Sequence, residues 1–470
     1  MAEDRDERLL ARFGYTQELR RRLGAFSSFA IGFSVISVLT GVTSTFGDAL
    51  GAGGPAGLGL GWPLVSAGTL VVALAMAELA SAFPTAGALY HWSALLGGPL
   101  WGWATAMLNL AGQVAIVAAV DLAGAQAVTE IAGWPENAAF GVFAAMLLMH
   151  GALNAFSVRL VAWLNDASAT VHVVGVAVLA GLLLAGGRAH GAGFLASGVP
   201  STAGFVQSLV LGVWTFTGFD AAAHVSEETH DPARRAPFGI VSSVATSAAA
   251  GFALVAALVL AVRTPALVAG KPGAALLVMR EALGERAGRA AMGLAALAMW
   301  FAGLSSVTSA SRMLFAFARD GGVPMAGLLR RVHPRTRTPV VATAACVVAP
   351  GLLVAATSRA SASVFLAVAA LATIALYASY ALPIALGIGA RRSGRWKHSG
   401  PWRFGRAGVP LAAVAVAWTA FVLVVCTLAN GLAMRLFVAL LVLLAVLWLA
   451  VVRRAFRGPS VDLAHFERTD

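Results

Sequence analysis

Charge is what this chain most lacks. Only 11% of its 470 residues are charged, against 59% apolar, and the mean hydropathy is +0.82. A soluble domain needs about 25% charged residues to solvate its surface. A soluble globular enzyme is therefore excluded, and disorder with it. Cysteine is nearly absent: Cys346 and Cys426 both sit in apolar runs, so no disulfide framework is implied. The phosphate-binding pattern G-x-x-x-x-G-K-[ST] is missing, so nucleotide-driven transport would need another subunit. Also missing are Cys–Cys or His-x-x-x-His pairs for a metal, a run of arginines spaced by threes and a G-x-S-x-G nucleophile elbow. No cofactor and no enzymatic activity are expected. A net charge of +12 would suggest nucleic acid in a soluble protein. Here it reads as basic loops beside anionic lipid, with no nucleic-acid partner.

What the chain has is length in apolar runs. Stretches able to cross about 30 Å of hydrocarbon recur at 26–50, 60–83, 99–123, 138–156, 160–186 and 203–226. Six more fall at 238–262, 290–316, 339–357, 362–388, 408–430 and 432–452. Barrel strands need only about 9–11 residues each, so the expected fold is all-α, a polytopic membrane protein of twelve transmembrane helices. The 51 glycines suit helices packed closely in lipid. Residues 1–25 mix Glu3, Asp4, Asp6, Glu7 and Glu18 with six arginines and read as a cytoplasmic arm rather than a signal peptide. With that arm inside, inner segments hold 25 of the 33 Lys and Arg and outer segments 8, Arg359 among them. The bias puts both termini in the cytoplasm, and the tail at 453–470.

Two spans are unusual at mid-depth. The first contains Ser37-Val38-Leu39-Thr40-Gly41-Val42-Thr43-Ser44-Thr45, and the sixth Thr215-Phe216-Thr217-Gly218-Phe219-Asp220. Five helices apart, they cross the membrane in opposite directions. Interrupted helices at matching places in two inverted halves mark a transporter site. The freed backbone groups survive in a bilayer only when they line a cavity, and half-helix N-termini favour a carboxylate. The other reading is that Gly41 and Gly218 merely permit close helix packing.

Further motifs stand around these spans. FPTAGALYHW (Phe83 to Trp92) follows AELASA (Ala77 to Ala82); WTFTGFDAAAHVSEET runs from Trp214 to Thr229; SRMLFAFARDGGVP runs from Ser311 to Pro324. Together with FGYTQELRRRLGAFSSFAIGFSVISVLTG (Phe13 to Gly41), they resemble the amino acid–polyamine–organocation permeases, and within them the bacterial and fungal amino acid/choline branch that includes 4-aminobutyrate permeases. The resemblance covers about residues 13 to 455. It implies a LeuT-like fold: a first five-helix repeat at 26–186, a second, inverted one at 203–388, then helices eleven and twelve at 408–452. It also implies ion-coupled transport, usually with protons.

Carried onto this chain, the resemblance assigns backbone donors for the substrate to Thr40, Gly41 and Val42 and to Thr217, Gly218 and Phe219, with Phe219 or Trp214 as an aromatic gate. Such rings also suit an ammonium group. Many superfamily members carry a Gly-x-Gly break in helix one, where this chain has a Ser–Thr run and one glycine. Some hold a lysine on helix five that stands in for a sodium ion between helices one, five and eight; His172 occupies the comparable place here, either as a group able to titrate in the physiological range or as a hydrogen-bonded packing residue.

Among buried polar positions, Asp220 is a carboxylate inside a hydrophobic span. It either pairs with a substrate amine and titrates during transport, or caps freed N–H groups at the break. Ser305, Ser309 and Arg312 share one face of helix eight, and Ser306 and Thr308 add hydroxyls for a sodium alternative. Asn109 and Gln113 share a face of helix three, toward either the cavity or neighbouring helices. Glu227 and Glu228, beside Arg234 and Arg235, form either an inner-gate cluster with Arg312 or Arg319, or a solvated loop. Glu78 is a gate residue or a snorkelling one. Asp48 and Asp121 lie near outer ends and read as hydrated, and Tyr377 and Tyr380 of helix ten face the pathway.

The expected function is a secondary active transporter in the cytoplasmic membrane. It moves an amino acid or related small zwitterionic or cationic amine by proton-coupled symport with alternating access. Sodium-coupled or exchange transport of a choline- or polyamine-like organocation is the alternative. A channel would show a filter motif, which is missing, and a sensor would need an output domain that the short arm and tail do not supply.

Overall fold

Hydrocarbon offers backbone groups no hydrogen-bond partner, so each apolar run must satisfy its own, and here each does so as a helix. The computed structural model describes residues 2–271, 273–358, 364–461 and 463; Arg359 and the last seven residues of the tail lie outside these. The membrane helices are α1 (Ala25–Gly59), α2 (Gly61–Ala82), α3 (Pro99–Ala132), α4 (Ala138–Phe156) and α5 (Val158–Gly186). They continue with α6 (Thr202–Thr215), α7 (Pro232–Ala261), α8 (Glu285–Arg319), α9 (Val340–Thr357), α10 (Val364–Arg392), α11 (Gly408–Ala429) and α12 (Gly431–Leu447). Eleven are long and apolar enough to span by themselves. The sixth has only 14 residues and resumes after its break as Ala221–His224. No strand occurs among the described residues.

The helices outrun the apolar windows at their ends. α3 reaches Ala132 rather than 123, and α8 begins at Glu285 and ends at Arg319, its charges standing at both ends. A short helix, Leu89–Gly97, fills the loop between α2 and α3. The half of α1 after its break lies along α6, while the half before it packs on α5, α7 and α8. Ala221–His224 packs on that earlier half and on α8. Two helices interrupted at mid-length and running antiparallel must meet in this way, half against half.

α3 packs along both α8 and α10, and α11 closes against α10 and α2. α10 is almost wholly buried and α12 almost wholly exposed. Phe156, Trp163, Leu352 and Leu428 are all more than 60% exposed on outer helices. In water that belt would be an aggregation surface; around twelve apolar helices it is the lipid face of a multi-pass membrane protein.

Candidate functional site

α1 breaks at Ser37, four residues before Gly41. Ser37 is left-handed (φ 40°, ψ 78°), a conformation costly for a residue with a Cβ. Three contacts hold it there. Its N–H donates to the Phe33 carbonyl (3.0 Å), its Oγ accepts from the Thr40 N–H (3.4 Å), and the same Oγ lies 2.8 Å from His172 Nε2 of α5. Thr40, Gly41 and Val42 are therefore helical, and the Gly41 N–H is spent on the Ser37 carbonyl (2.9 Å). Ser37 instead opens a helix N-terminus at Val38, and N–H groups in the first turn of a helix have no partner within that helix. Gly41 serves packing: a Cβ there would stand 2.2 Å from Thr215 Oγ1 of α6.

α6 breaks over residues 216–220. Gly218 sits at φ +86°, and a Cβ there would meet Val35 Cγ1 at 2.2 Å, so conformation and space both require glycine. Its N–H donates to Tyr380 Oη (3.1 Å), which donates in turn to Asp220 Oδ1 (2.8 Å). Asp220 Oδ2 accepts from Asn109 Nδ2 of α3 (2.8 Å) and lies 3.2 Å from His224 Nε2. The Asp220 side chain does not cap the helix that follows, which removes the capping alternative. The Phe219 and Asp220 N–H groups make no backbone hydrogen bond among the described residues.

Between the two breaks lies a small cavity lined by Val35, Ile36, Thr40, Gly41, Ile116, Val120, Trp214, Thr215 and Thr217. Four of the expected substrate contacts therefore line it: Thr40 and Gly41 from α1, and Trp214 and Thr217 from α6 and its break. Phe219 turns away and is buried against Tyr380, with ring centroids 4.9 Å apart. Asn109 and Gln113 are committed to interhelical bonds, Asn109 to Asp220 and Ser379, Gln113 to Ser309 (2.9 Å). Tyr377 bonds Thr69 of α2 (3.2 Å).

His172 Nδ1 lies 2.8 Å from the Ser168 carbonyl, so Nδ1 carries a hydrogen and Nε2 of the neutral ring accepts from Ser37 Oγ. The imidazole thus ties α5 to the α1 break, with no hydrogen bond to α8 among the described residues. The α8 hydroxyls do not converge. Ser305 Oγ has Asn165 Oδ1 of α5 and its own helix's Phe301 carbonyl within reach of its one hydrogen, Ser306 donates to Ala302, and Thr308 to Asn154 of α4 (2.7 Å). Ser309 accepts from Gln113.

Toward the face that carries the N-terminus, the acidic residues find buried partners. Arg312 Nε donates to Glu228 Oε1 (2.7 Å), and Arg319 grips Glu227 with two nitrogens (2.8 and 3.0 Å). Arg391 meets Glu78 at 2.8 Å and stacks on Trp396. Arg234, in the first turn of α7, stays exposed beside Asp231, and neither it nor Arg235 joins these pairs among the described residues. Burial alone would raise the Glu227 carboxyl; Arg319, the Ala86 N–H and His91 outweigh it and hold it below the usual carboxylate range. The N-terminal arm closes over this cluster. Gln17 donates to the Glu227 carbonyl, and the N–H groups of Arg22 and Leu23 both reach the Glu228 carbonyl (2.8 Å). Tyr15 donates to Asp320 (2.8 Å), while Arg319 lies 3.8 Å from its ring centroid.

A family model described as amino acid permease matches residues 23–451. The chain belongs to the amino acid permease family. This permease is 35% identical to amino-acid permease BAT1 of Arabidopsis thaliana over 87% of this chain and 86% of that protein. It is 34% identical to the BAT1 homolog of Oryza sativa subsp. japonica over 97% and 95%. It is also 30% identical to the GABA-specific permease of Saccharomyces cerevisiae over 73% and 65%. Among solved structures, a manganese transporter of Eremococcus coleocola is similar, with a TM-score of 0.56 at 13% identity over 93% of this chain and 98% of that one. That likeness shows the fold alone. The amino acid–polyamine–organocation resemblance is borne out, and the permease is a membrane transporter.

Sequence reasoning missed several residues of this permease. Asp121 is fully buried, not hydrated, and meets His150 of α4 at 3.1 Å; Asp48, by contrast, is half-buried. His224, His91, Asp320 and Tyr15 also escaped. His91, Asp320 and Tyr15 find one another across 76 to 305 positions, which no local spacing signals, whereas His224 stands one turn after Asp220.

Proposed function

We propose that this permease carries a small zwitterionic or cationic amine, such as an amino acid, 4-aminobutyrate or a related organocation, across the cytoplasmic membrane. The mechanism is proton symport by alternating access, with both termini in the cytoplasm. The observation that carries the reading is the cavity between the two breaks, with a helix N-terminus opened by Ser37 on α1 and unspent N–H groups at Phe219 and Asp220 on α6. Such donors suit a carboxylate, and the Trp214 ring suits an ammonium group. The buried ion pairs at Glu227, Glu228 and Glu78 serve as the cytoplasmic gate in this reading.

Proton coupling is favoured by His172. A proton added at Nε2 makes that atom a donor, so Ser37 Oγ must become the acceptor and turn its own hydrogen toward Thr40 Oγ1, 2.5 Å away. Thr40 lines the cavity, so protonation and substrate meet through one hydrogen-bond chain. Sodium would need several converging oxygens, whereas the α8 hydroxyls are committed elsewhere.

Reconstituted in proteoliposomes, the permease is expected to accumulate labelled 4-aminobutyrate or a competing amine, and a protonophore should collapse that accumulation. A panel in which only sugars or purely anionic acids compete sinks the substrate class. Loss of uptake on removing sodium, together with a wild-type pH profile in His172→Ala, sinks proton coupling.

A further inference from the structure

Behind the cavity wall, α3 carries a second titratable group that the mechanism above does not use. Ile116 and Val120 line the cavity. Asp121 follows Val120, about 100° further round the helix, and turns toward α4 and α8 instead. Its Oδ2 lies 3.1 Å from His150 Nδ1, with both side chains wholly buried. Gly303 lets α8 close on the pair, since a Cβ there would stand 1.9 Å from Asp121 Oδ1 and 2.7 Å from His150 Cε1. The Trp300 ring of α8 packs on the imidazole, 5.2 Å between centroids. Asp121 Oδ1 and His150 Nε2 have no hydrogen-bond partner among the described residues. Nor does any other charged or titratable side chain of α3, α4 or α8 hydrogen-bond or ion-pair with the two among those residues.

Counting protons gives the consequence. With one proton, Nδ1–H donates to the carboxylate and the pair carries a net negative charge with no counter-ion inside hydrocarbon. With a second proton, on the ring or on the carboxyl, the pair is neutral. An unpaired charge at this depth is expensive, so the closed structure favours the two-proton form, and the second proton leaves when the helices part and water enters. The same seam leads toward the gate. One turn from His150, Asn154 Oδ1 accepts from Thr308 (2.7 Å) and from Arg312 (3.4 Å), and Arg312 holds Glu228. Parting α8 from α4 at the gate therefore loosens the packing around the pair.

We infer that Asp121–His150 is a proton-binding site of the transport cycle, additional to His172 and separated from the substrate by the wall of α3. This rests on the proton-symport reading, so two measurements are needed. The first requires no substrate: infrared difference spectra of the purified permease in lipid vesicles, stepped through pH. The wild type is expected to show a carboxylic-acid or imidazolium band that both Asp121→Asn and His150→Gln lose; spectra unchanged in both variants overturn the site. The second uses an amine that wild-type vesicles accumulate. Asp121→Asn should retain counterflow exchange, which also shows that it is folded, while accumulation driven by a pH gradient falls at least tenfold. Wild-type accumulation in Asp121→Asn overturns the coupling role. Protonophore-insensitive accumulation by the wild type overturns proton symport and that role together, and the infrared bands still decide whether the pair binds a proton.

Discussion

Two aspartate–histidine pairs lie fully buried in this permease at nearly the same separation, Asp220–His224 at 3.2 Å and Asp121–His150 at 3.1 Å. They differ in completeness. Around Asp220, both carboxylate oxygens are engaged by Tyr380, Asn109 and His224, and the far His224 nitrogen lies 3.2 Å from the Ala86 carbonyl. Around Asp121, one oxygen and one ring nitrogen are left over. A fully satisfied network fixes geometry, whereas a half-satisfied one stores an expensive state that motion can relieve. The first pair therefore shapes the α6 break, and the second is free to change its charge.

Deleting a carboxylate should separate the two most sharply. Asp220→Ala leaves the Asn109 amide, the Tyr380 hydroxyl and the His224 ring without their shared acceptor, at about 1–3 kcal/mol for each buried group. The expected outcome is loss of both exchange and driven accumulation, with a thermal midpoint lowered in detergent. Asp121→Asn should lose only the driven mode. Equal loss of both modes in the two variants would erase the distinction.

A steric probe gives the next effect in size. Gly303→Ala adds a methyl where Asp121 Oδ1 stands 1.9 Å away, while helix propensity alone would favour alanine by about 1 kcal/mol. Any deficit therefore comes from the contact. We expect an accumulation ratio several-fold below wild type with exchange retained. A wild-type ratio would mean that α8 does not constrain the pair.

A third pair, Asp320–His91 at 3.1 Å, sits at the end of α8 under the N-terminal arm. Burial would raise the Asp320 carboxyl, but His91, Tyr90 and Tyr15 outweigh it and hold it below its usual range. A depressed carboxyl stabilises the folded contact above the ordinary carboxylate range and loses that contribution as pH falls through its lower value. The Asp320 carboxylate should therefore keep its charge and its acceptor role from about pH 5 to 8. Amide exchange over residues 84–91 should be flat in that window and rise only under stronger acid. A rise near neutrality would place pH sensing at the arm instead.

The span pattern was legible because hydrocarbon forces each run to be a helix, and the α6 break showed in Thr215 to Asp220. The α1 break fell within the run from Ser37 to Thr45, but not at its glycine, Gly41: Ser37 is held left-handed by a histidine 135 positions away. Asp121 was misplaced for a simpler reason. α3 continues to Ala132, so a residue that seems terminal in a window ending at 123 is interior. Glu227 and Glu228 were visible as charges that either pair with Arg312 or Arg319 or lie in a solvated loop, and folding decides between the two by burying both ion pairs.

The smallest effect tests whether the arm contributes to closure. Tyr15→Phe removes the hydroxyl that reaches Asp320 (2.8 Å) and His91 (2.9 Å) but leaves the ring beneath Arg319. Asp320 keeps Tyr90 and His91, so the carboxylate is not stranded. The loss should be that of one net hydrogen bond, about 0.5–1.5 kcal/mol, which is a few-fold shift toward the form open at this face. Labelling of a cysteine introduced at Thr85 would report it, with a rate a few-fold above the same cysteine in the otherwise unaltered chain. Tyr15→Ala also removes the cation–π contact and should exceed it. Equal rates in both variants would mean that the arm lies over a gate already shut by Arg312–Glu228 and Arg319–Glu227.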